Sequence, residues 1–192
     1  MELFIFLVIL IVPICYFVIV YNKIISIEQD CINADKQIDI QLDRRFKVFD
    51  NLIKAVNKVM DYEKTTLKDV VELRNKAKKA EANNQKDKKI EAENEISRIA
   101  SNIDVVFENY PELQAVDNLG HFQETIVETE NKLSFSKQYY NDSVERLNSY
   151  KNSFPPNIIV KMFSRLDVSF EYWGITEEKR DTLENYQVNF DK

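Results

Sequence analysis

The chain is predicted to be all-α: a single N-terminal transmembrane helix, then an antiparallel up-and-down four-helix bundle of long helices, then a short irregular C-terminal tail. Three observations predict this. Leu3 to Tyr21 is an uncharged apolar run, the length that spans a bilayer rather than the length of a soluble core helix. Beyond Asn22 apolar residues recur at steps of three and four, the period of an amphipathic helix. Glycine occurs twice and proline four times, while charged residues make up 30%, a balance that favours long helices over a sheet. The expected division is an anchor over 1–22, a bundle over 23–165 and an aromatic and charged tail over 166–192.

The anchor comes first. Fifteen of the residues from Leu3 to Val20 are Leu, Ile, Val or Phe, and at ~0.4 kcal/mol each they favour insertion by roughly 6 kcal/mol. Pro13 removes one backbone donor, which membrane helices tolerate. A cleaved signal peptide would need a basic start and a small-residue cleavage site. Met1-Glu2 and the exit Ile19 to Lys23 supply neither, so an uncleaved single-pass anchor in the cell membrane is expected. Lys23, Lys36, Arg44, Arg45 and Lys47 all follow the span, which by the positive-inside bias places the body in the cytoplasm.

The body reads as a series of helices. Ile24, Ile27, Cys31, Ala34, Ile38, Leu42, Phe49, Leu52, Val56 and Val59 form one stripe that continues through Val70, Leu73 and Ala77. Read literally, this is a single rod of roughly 80 Å at 1.5 Å per residue, with an optional break at Thr65-Thr66. The stripe is lost from Ala77 to Lys89, and Asn83-Asn84 is the expected turn. A second helix carries Ile96, Ile99, Ile103, Val106 and Phe107 on one face and stops at Asn109 to Pro111, because proline biases its predecessor away from helix. Asp117 or Asn118 is the expected cap of a third helix, with Leu119, Phe122, Ile126, Leu133, Tyr140, Val144 and Leu147 inward. Phe154 to Pro156 ends it. Asn157 is the expected cap of a short fourth helix, Ile158 to Phe163, and the remainder is irregular or extended.

Composition excludes some functions. A net charge of −6 argues against a general nucleic-acid binder, which needs a basic surface. Cys15 lies in the span and Cys31 is alone in the body, so no internal disulfide forms there. His121 is the single histidine and leaves no tetrahedral zinc set; it reads as a surface residue in the first turn of its helix. Two isolated glycines make no phosphate loop. No Ser-His-Asp or Cys-His pattern is visible, and neither a cofactor nor catalytic activity is expected.

A few polar residues stand out. Arg45 falls on the apolar stripe between Ile38 and Leu52, beside Arg44. It is either an anion or partner contact in a groove, or a structural arginine whose stem packs and whose head pairs with a carboxylate of a neighbouring helix; the second reading is favoured. Glu130 carries the same two readings. Glu124 and Glu128, four apart, pose as an acid/base pair but match a solvated face better. Tyr110, in Asn109 to Leu113, and Tyr139, Tyr140 and Asn141 are of types that suit interfaces; a helix stop and an interior position are their alternatives. The basic stretch Arg74 to Lys89 is read as a solvated bundle tip rather than a lipid contact. The aromatic segment Phe163 to Trp173 is expected to pack on the bundle, with lipid head groups as the other choice.

Several strings in series resemble the LemA family of bacterial membrane proteins. They are Tyr21-Asn22, Gln37 to Arg45 (QIDIQLDRR), Asn51 to Ile53, Glu108 to Ala115 (ENYPELQA), Thr129 to Leu133 (TENKL), Tyr139 to Asp142 (YYND) and Ser153 to Pro155. Order and spacing hold from the anchor to about Phe170. The resemblance implies a single N-terminal span and an up-and-down, left-handed bundle. It implies no enzymatic mechanism, since the family has no agreed biochemical activity; some members are associated with membrane remodelling or organelle biogenesis. Asp50 stands where the family usually has Pro, which implies a straighter first helix. Lys137 lies where the family commonly has Arg, and it lacks the planar fork of a guanidinium.

The expected function is therefore a membrane-anchored, coiled-coil-like scaffold or adaptor. Its partners would be the membrane and other membrane or cytoplasmic proteins, with self-association possible and nucleic acid excluded. An envelope or stress sensor that transmits a signal through the anchor, and an enzyme with an unrecognised carboxylate/Arg site, are the alternatives.

Overall fold

A computed structural model describes residues 1–57, 67–109 and 119–174. The described residues are helical with no strand, in keeping with the expected helical bundle. They comprise α1 (Glu2–Val56), α2 (Leu67–Ala82), α3 (Lys86–Ser101), α4 (Ile103–Asn109), α5 (Leu119–Asn152) and α6 (Pro156–Met162), followed by a 3₁₀ turn at Ser164–Leu166. The chain divides into two compact units. One holds Met1–Ile40 and Phe135–Tyr172; the other holds the described residues of Gln41–Ser134 and Trp173–Lys192. The long helices α1 and α5 contribute to both.

The second unit gathers α2, α3 and α4 with the C-terminal part of α1 and the N-terminal part of α5. Phe49, Leu52, Ile53 and Val56 of α1 meet Val70 of α2, Ile96, Ile99 and Ala100 of α3, Ile103 of α4 and Ile126 of α5 in one apolar cluster. α1, α2, α3 and α5 offer residues three and four apart, so their apolar stripes turn to a common axis and their charged sides to water. α2 and α3 form a hairpin. Its turn falls at Asn83 and Asn84 as the sequence predicts, and Asn84 takes φ 54°. Asparagine is among the few residues that adopt this left-handed conformation readily.

The single rod to Ala77 is corrected. α1 is described to Val56, and α2 returns beside it: the Arg74 guanidinium sits 3.3 Å from the Phe46 ring centroid. The stripe keeps its period across the break because both helices bury one face in the same core. Periodicity therefore does not distinguish a straight helix from one folded back. The possible break at Thr65-Thr66 lies outside the described residues, as do Val59 and the proposed caps Asp117 and Asn118. α1 passes through Asp50 unbroken.

The first unit is built from the N-terminal part of α1, the C-terminal part of α5, α6 and the segment after it. Val20, Ile24, Ile27, Cys31, Ala34 and Ile38 are buried along α1, and Tyr140, Val144 and Leu147 along α5. α6 begins at Pro156 with Pro155 in the capping position, so Asn157 is not the cap. Proline at the first helical position has its φ preset and loses no hydrogen bond, which moves the helix start ahead of the asparagine. Leu166 is fully buried, so this segment packs inward. Among the described residues, one helix is long and apolar enough to cross a membrane, and its apolar window near the N-terminus is almost wholly unburied.

Candidate functional site

The polar feature with the most elaborate geometry lies in the second unit around Arg45, whose side chain is only 3% exposed. Its Nη2 pairs with Glu93 Oε2. Its Nη1 donates to Ser97 Oγ at 2.8 Å, to Glu130 Oε1 at 3.1 Å and to the Glu93 carbonyl at 3.3 Å. Three helices thus converge on one guanidinium: α1 supplies the cation, α3 the Glu93 carboxylate and Ser97 hydroxyl, α5 the Glu130 carboxylate. The planar fork of arginine suits such a convergence, since it offers several fixed donors at once.

Arg74 of α2 completes the charge balance. It stacks on Phe46 and lies 4.0 Å from Asp43. Burial pushes its guanidinium pKa down, and the charges of Glu93 and Asp43 act against that. Glu93 therefore feels both cations, while Glu130 is paired with Arg45. The cavity bordered by Arg45, Phe46, Arg74 and Glu93 measures about 10 Å³, room for at most one water molecule. This arrangement fits the structural reading of Arg45 and Glu130, a pair closed in the core.

Arg44, one residue earlier, points to the flank and lies 3.5 Å from a half-exposed Glu128. Lys132 bonds the same carboxylate and, with Arg44, holds it below the usual carboxylate range. Glu128 is therefore engaged with cations on an exposed face, and Glu124 beside it is exposed. The acid/base pairing posed by their spacing does not form a buried site. His121 is exposed in the first turn of α5, where the sequence places it.

The tyrosine string separates by face. Tyr140 is fully buried, and its hydroxyl donates to the Glu171 carbonyl at 2.8 Å; burial raises its pKa well above the ordinary phenol range. Of the two readings of this string, Tyr140 takes the interior position, on the α5 stripe that also carries Leu133, Val144 and Leu147. Tyr139 is exposed and Asn141 half-buried. Tyr110 lies outside the described residues. In the basic stretch Lys76, Lys78, Lys79 and Lys88 are exposed, while Lys89 pairs with Glu81 at 2.7 Å and lies 6.0 Å from the Trp173 ring.

Sequence reasoning missed three buried charges. Glu93 falls on the inward stripe with Ile96 and Ala100, and an acid in that register is the signal that would have found it. Glu28 sits likewise beside Ile24, Ile27 and Cys31, and Arg165 donates to it at 2.9 Å. Lys151 at the end of α5 pairs with Asp167 at 3.0 Å, tying the returning segment to the helix. Among the described residues, no group of His, Cys, Asp or Glu is arranged to hold a metal ion.

Comparison with curated proteins finds no match. A family model does match, over residues 34–190, and this range contains Arg45, Glu93, Glu130 and nearly all of the strings that suggested the resemblance. The chain belongs to the LemA family.

Proposed function

We propose that the protein is a single-pass membrane scaffold: the N-terminal part of α1 anchors it in the cell membrane, and the helical body, on the cytoplasmic side, engages other proteins without catalysing a reaction. The observation that carries this reading is the exposed apolar surface of α1. Phe4 to Val12 present large apolar side chains outward without interruption, followed by Ile14, Tyr16, Val18 and Ile19. An apolar surface of that extent needs lipid or protein to cover it. The enclosed Arg45 cluster supports the non-catalytic part, since its donors are already consumed by Glu93, Ser97 and Glu130 and leave little room for a substrate.

Partner contact would then fall on exposed features of the body such as Tyr139, Phe135 and Arg44. The test uses the full-length chain in its own membranes. Alkaline carbonate washing is expected to leave it in the pellet, and release into the supernatant would overturn the anchor. A photo-reactive side chain at Phe135 or Tyr139 is expected to give discrete protein adducts. A chain that yields none and runs as a monomer in mild detergent is not a scaffold. An impermeant thiol reagent is expected to miss Asp142→Cys in intact cells and reach it after lysis; labelling before lysis would reverse the orientation.

A further inference from the structure

The short helix α6 carries an apolar row that nothing in its unit covers. Ile158 and Met162, four apart on one side of the helix, are 50% and 68% exposed, and Phe154, in the turn just before the Pro155 cap, is 79% exposed. The other side is anchored inward, with Pro156, Ile159 and Val160 buried. The segment is thus amphipathic, held to the protein along one side and open along the other.

Its neighbours identify what covers it. The Phe163 ring lies 5.2 Å from that of Phe17 and 6.2 Å, edge-on, from that of Tyr21. Phe17 and Tyr21 belong to the last turns of the apolar run that begins at Leu3. At 1.5 Å per residue that run measures about 28 Å, close to the thickness of a bilayer's hydrocarbon core. Its C-terminal end therefore falls at the boundary between acyl chains and head groups, where aromatic rings concentrate in membrane proteins. α6 is held at that depth by the Phe163 contact. Lys23 and Lys161 are exposed on α1 and α6, and Arg165 is fixed nearby through Glu28 at 2.9 Å. Cations flanking an apolar row are what an interfacial helix presents to acidic head groups.

We infer that Phe154, Ile158 and Met162 of the α6 segment insert into the membrane interface beside the anchor, so that the protein meets the bilayer at two places, and the occupant of this face is the lipid surface itself. The inference rests on the membrane-anchor reading of α1. It makes α6 a second, peripheral contact that restrains the body against rotation about the anchor.

The test uses the full-length Cys15→Ala protein in phosphatidylcholine vesicles containing phosphatidylglycerol. Cys31 stays in place, because it is fully buried and burial raises its thiol pKa, which suppresses the reactive thiolate. Single cysteines at Ile158, Met162, Gln138 or Val12 carry a bimane label, and each sits on an exposed position that leaves the fold intact. Lipid-borne nitroxides placed near the head groups are expected to cause loss of fluorescence at Ile158 and Met162, with protection from aqueous iodide. Gln138 is expected to show the reverse. Val12 reports on the anchor alone and is expected to lose fluorescence to nitroxides deep in the acyl region. Lipid quenching at Val12 with iodide quenching at both Ile158 and Met162 overturns the α6 contact and leaves the anchor standing. Iodide quenching at Val12 overturns the anchor and the α6 contact together.

Discussion

Arg45 shows how one side chain can decide the specificity of a core. Removing it while Glu93 and Glu130 remain takes away the guanidinium that both carboxylates bond directly and leaves only the more distant charge of Arg74 near Glu93. Arg45→Met is therefore expected to cost about 3–5 kcal/mol, read from denaturant unfolding of the full-length protein in detergent. Replacing the whole cluster with apolar residues, Arg45→Met with Glu93→Leu and Glu130→Met, is expected to recover most of that loss, since the desolvation penalty disappears with the charges. A triple variant as unstable as the single one would show that the cluster holds the helices by more than charge. Tyr140 gives a pH dependence. In the unfolded chain its phenol ionises near its ordinary value of 10, whereas in the folded protein burial keeps it protonated beyond that. Its contribution is complete below that value and declines above it, because the unfolded state releases a proton that the native state retains. Tyr140→Phe is expected to flatten the fall in unfolding midpoint above pH 10, and to cost about 0.5–1.5 kcal/mol at neutral pH through the lost bond to the Glu171 carbonyl. The placing of Arg45 on an apolar stripe was legible from the sequence. The identity of Glu93 as its partner was not, since forty-eight residues separate them and the α2–α3 hairpin brings them together.

The α2–α3 hairpin turns on Asn84, whose φ of 54° excludes β-branched side chains at modest cost. Asn84→Val is expected to lower stability by about 1–2 kcal/mol and Asn84→Gly to leave it nearly unchanged, measured by thermal melting. Equal effects of the two would mean that the turn relaxes without loss. This turn was legible because Asn83-Asn84 coincides with the loss of the apolar stripe. The fold-back of α2 onto α1 was not, because the stripe runs on in phase through Val70 and Ala77. The break between α3 and α4 at Asn102 also carries no glycine or proline to announce it; there the Asn102 side chain bonds the Arg98 carbonyl at 2.9 Å, competing with the helix for its own backbone. At α6 a proline start displaced the expected asparagine cap.

Across the chain, the segment after α6 is held by burial and by ion pairs spread along the helices it meets. Leu166 is fully buried, and Lys151 reaches both Asp167 and the Val168 carbonyl. Leu166→Ala is expected to cost about 2–5 kcal/mol through the cavity it leaves, visible as a lowered unfolding midpoint; a change within error would mean that this segment adds nothing to stability. In the second unit Trp173 packs inward beside Lys89, and the Asn94 side chain donates to the Gly174 carbonyl at 3.3 Å. Of the aromatic residues in Phe163 to Trp173, which were expected to pack on the bundle, Trp173 is buried and Phe170 half-buried, while Phe163 and Tyr172 are exposed and Phe163 meets Phe17. Length, charge and apolar period were enough to establish a helical fold without strands among the described residues and a bilayer-length apolar start, because these are local properties that each segment carries wherever it is placed. Which buried charges meet, and where α2 turns back, depended on the packed structure. Those facts are set by contacts between residues distant in sequence, where several helices share one core and a buried cation must find its anions.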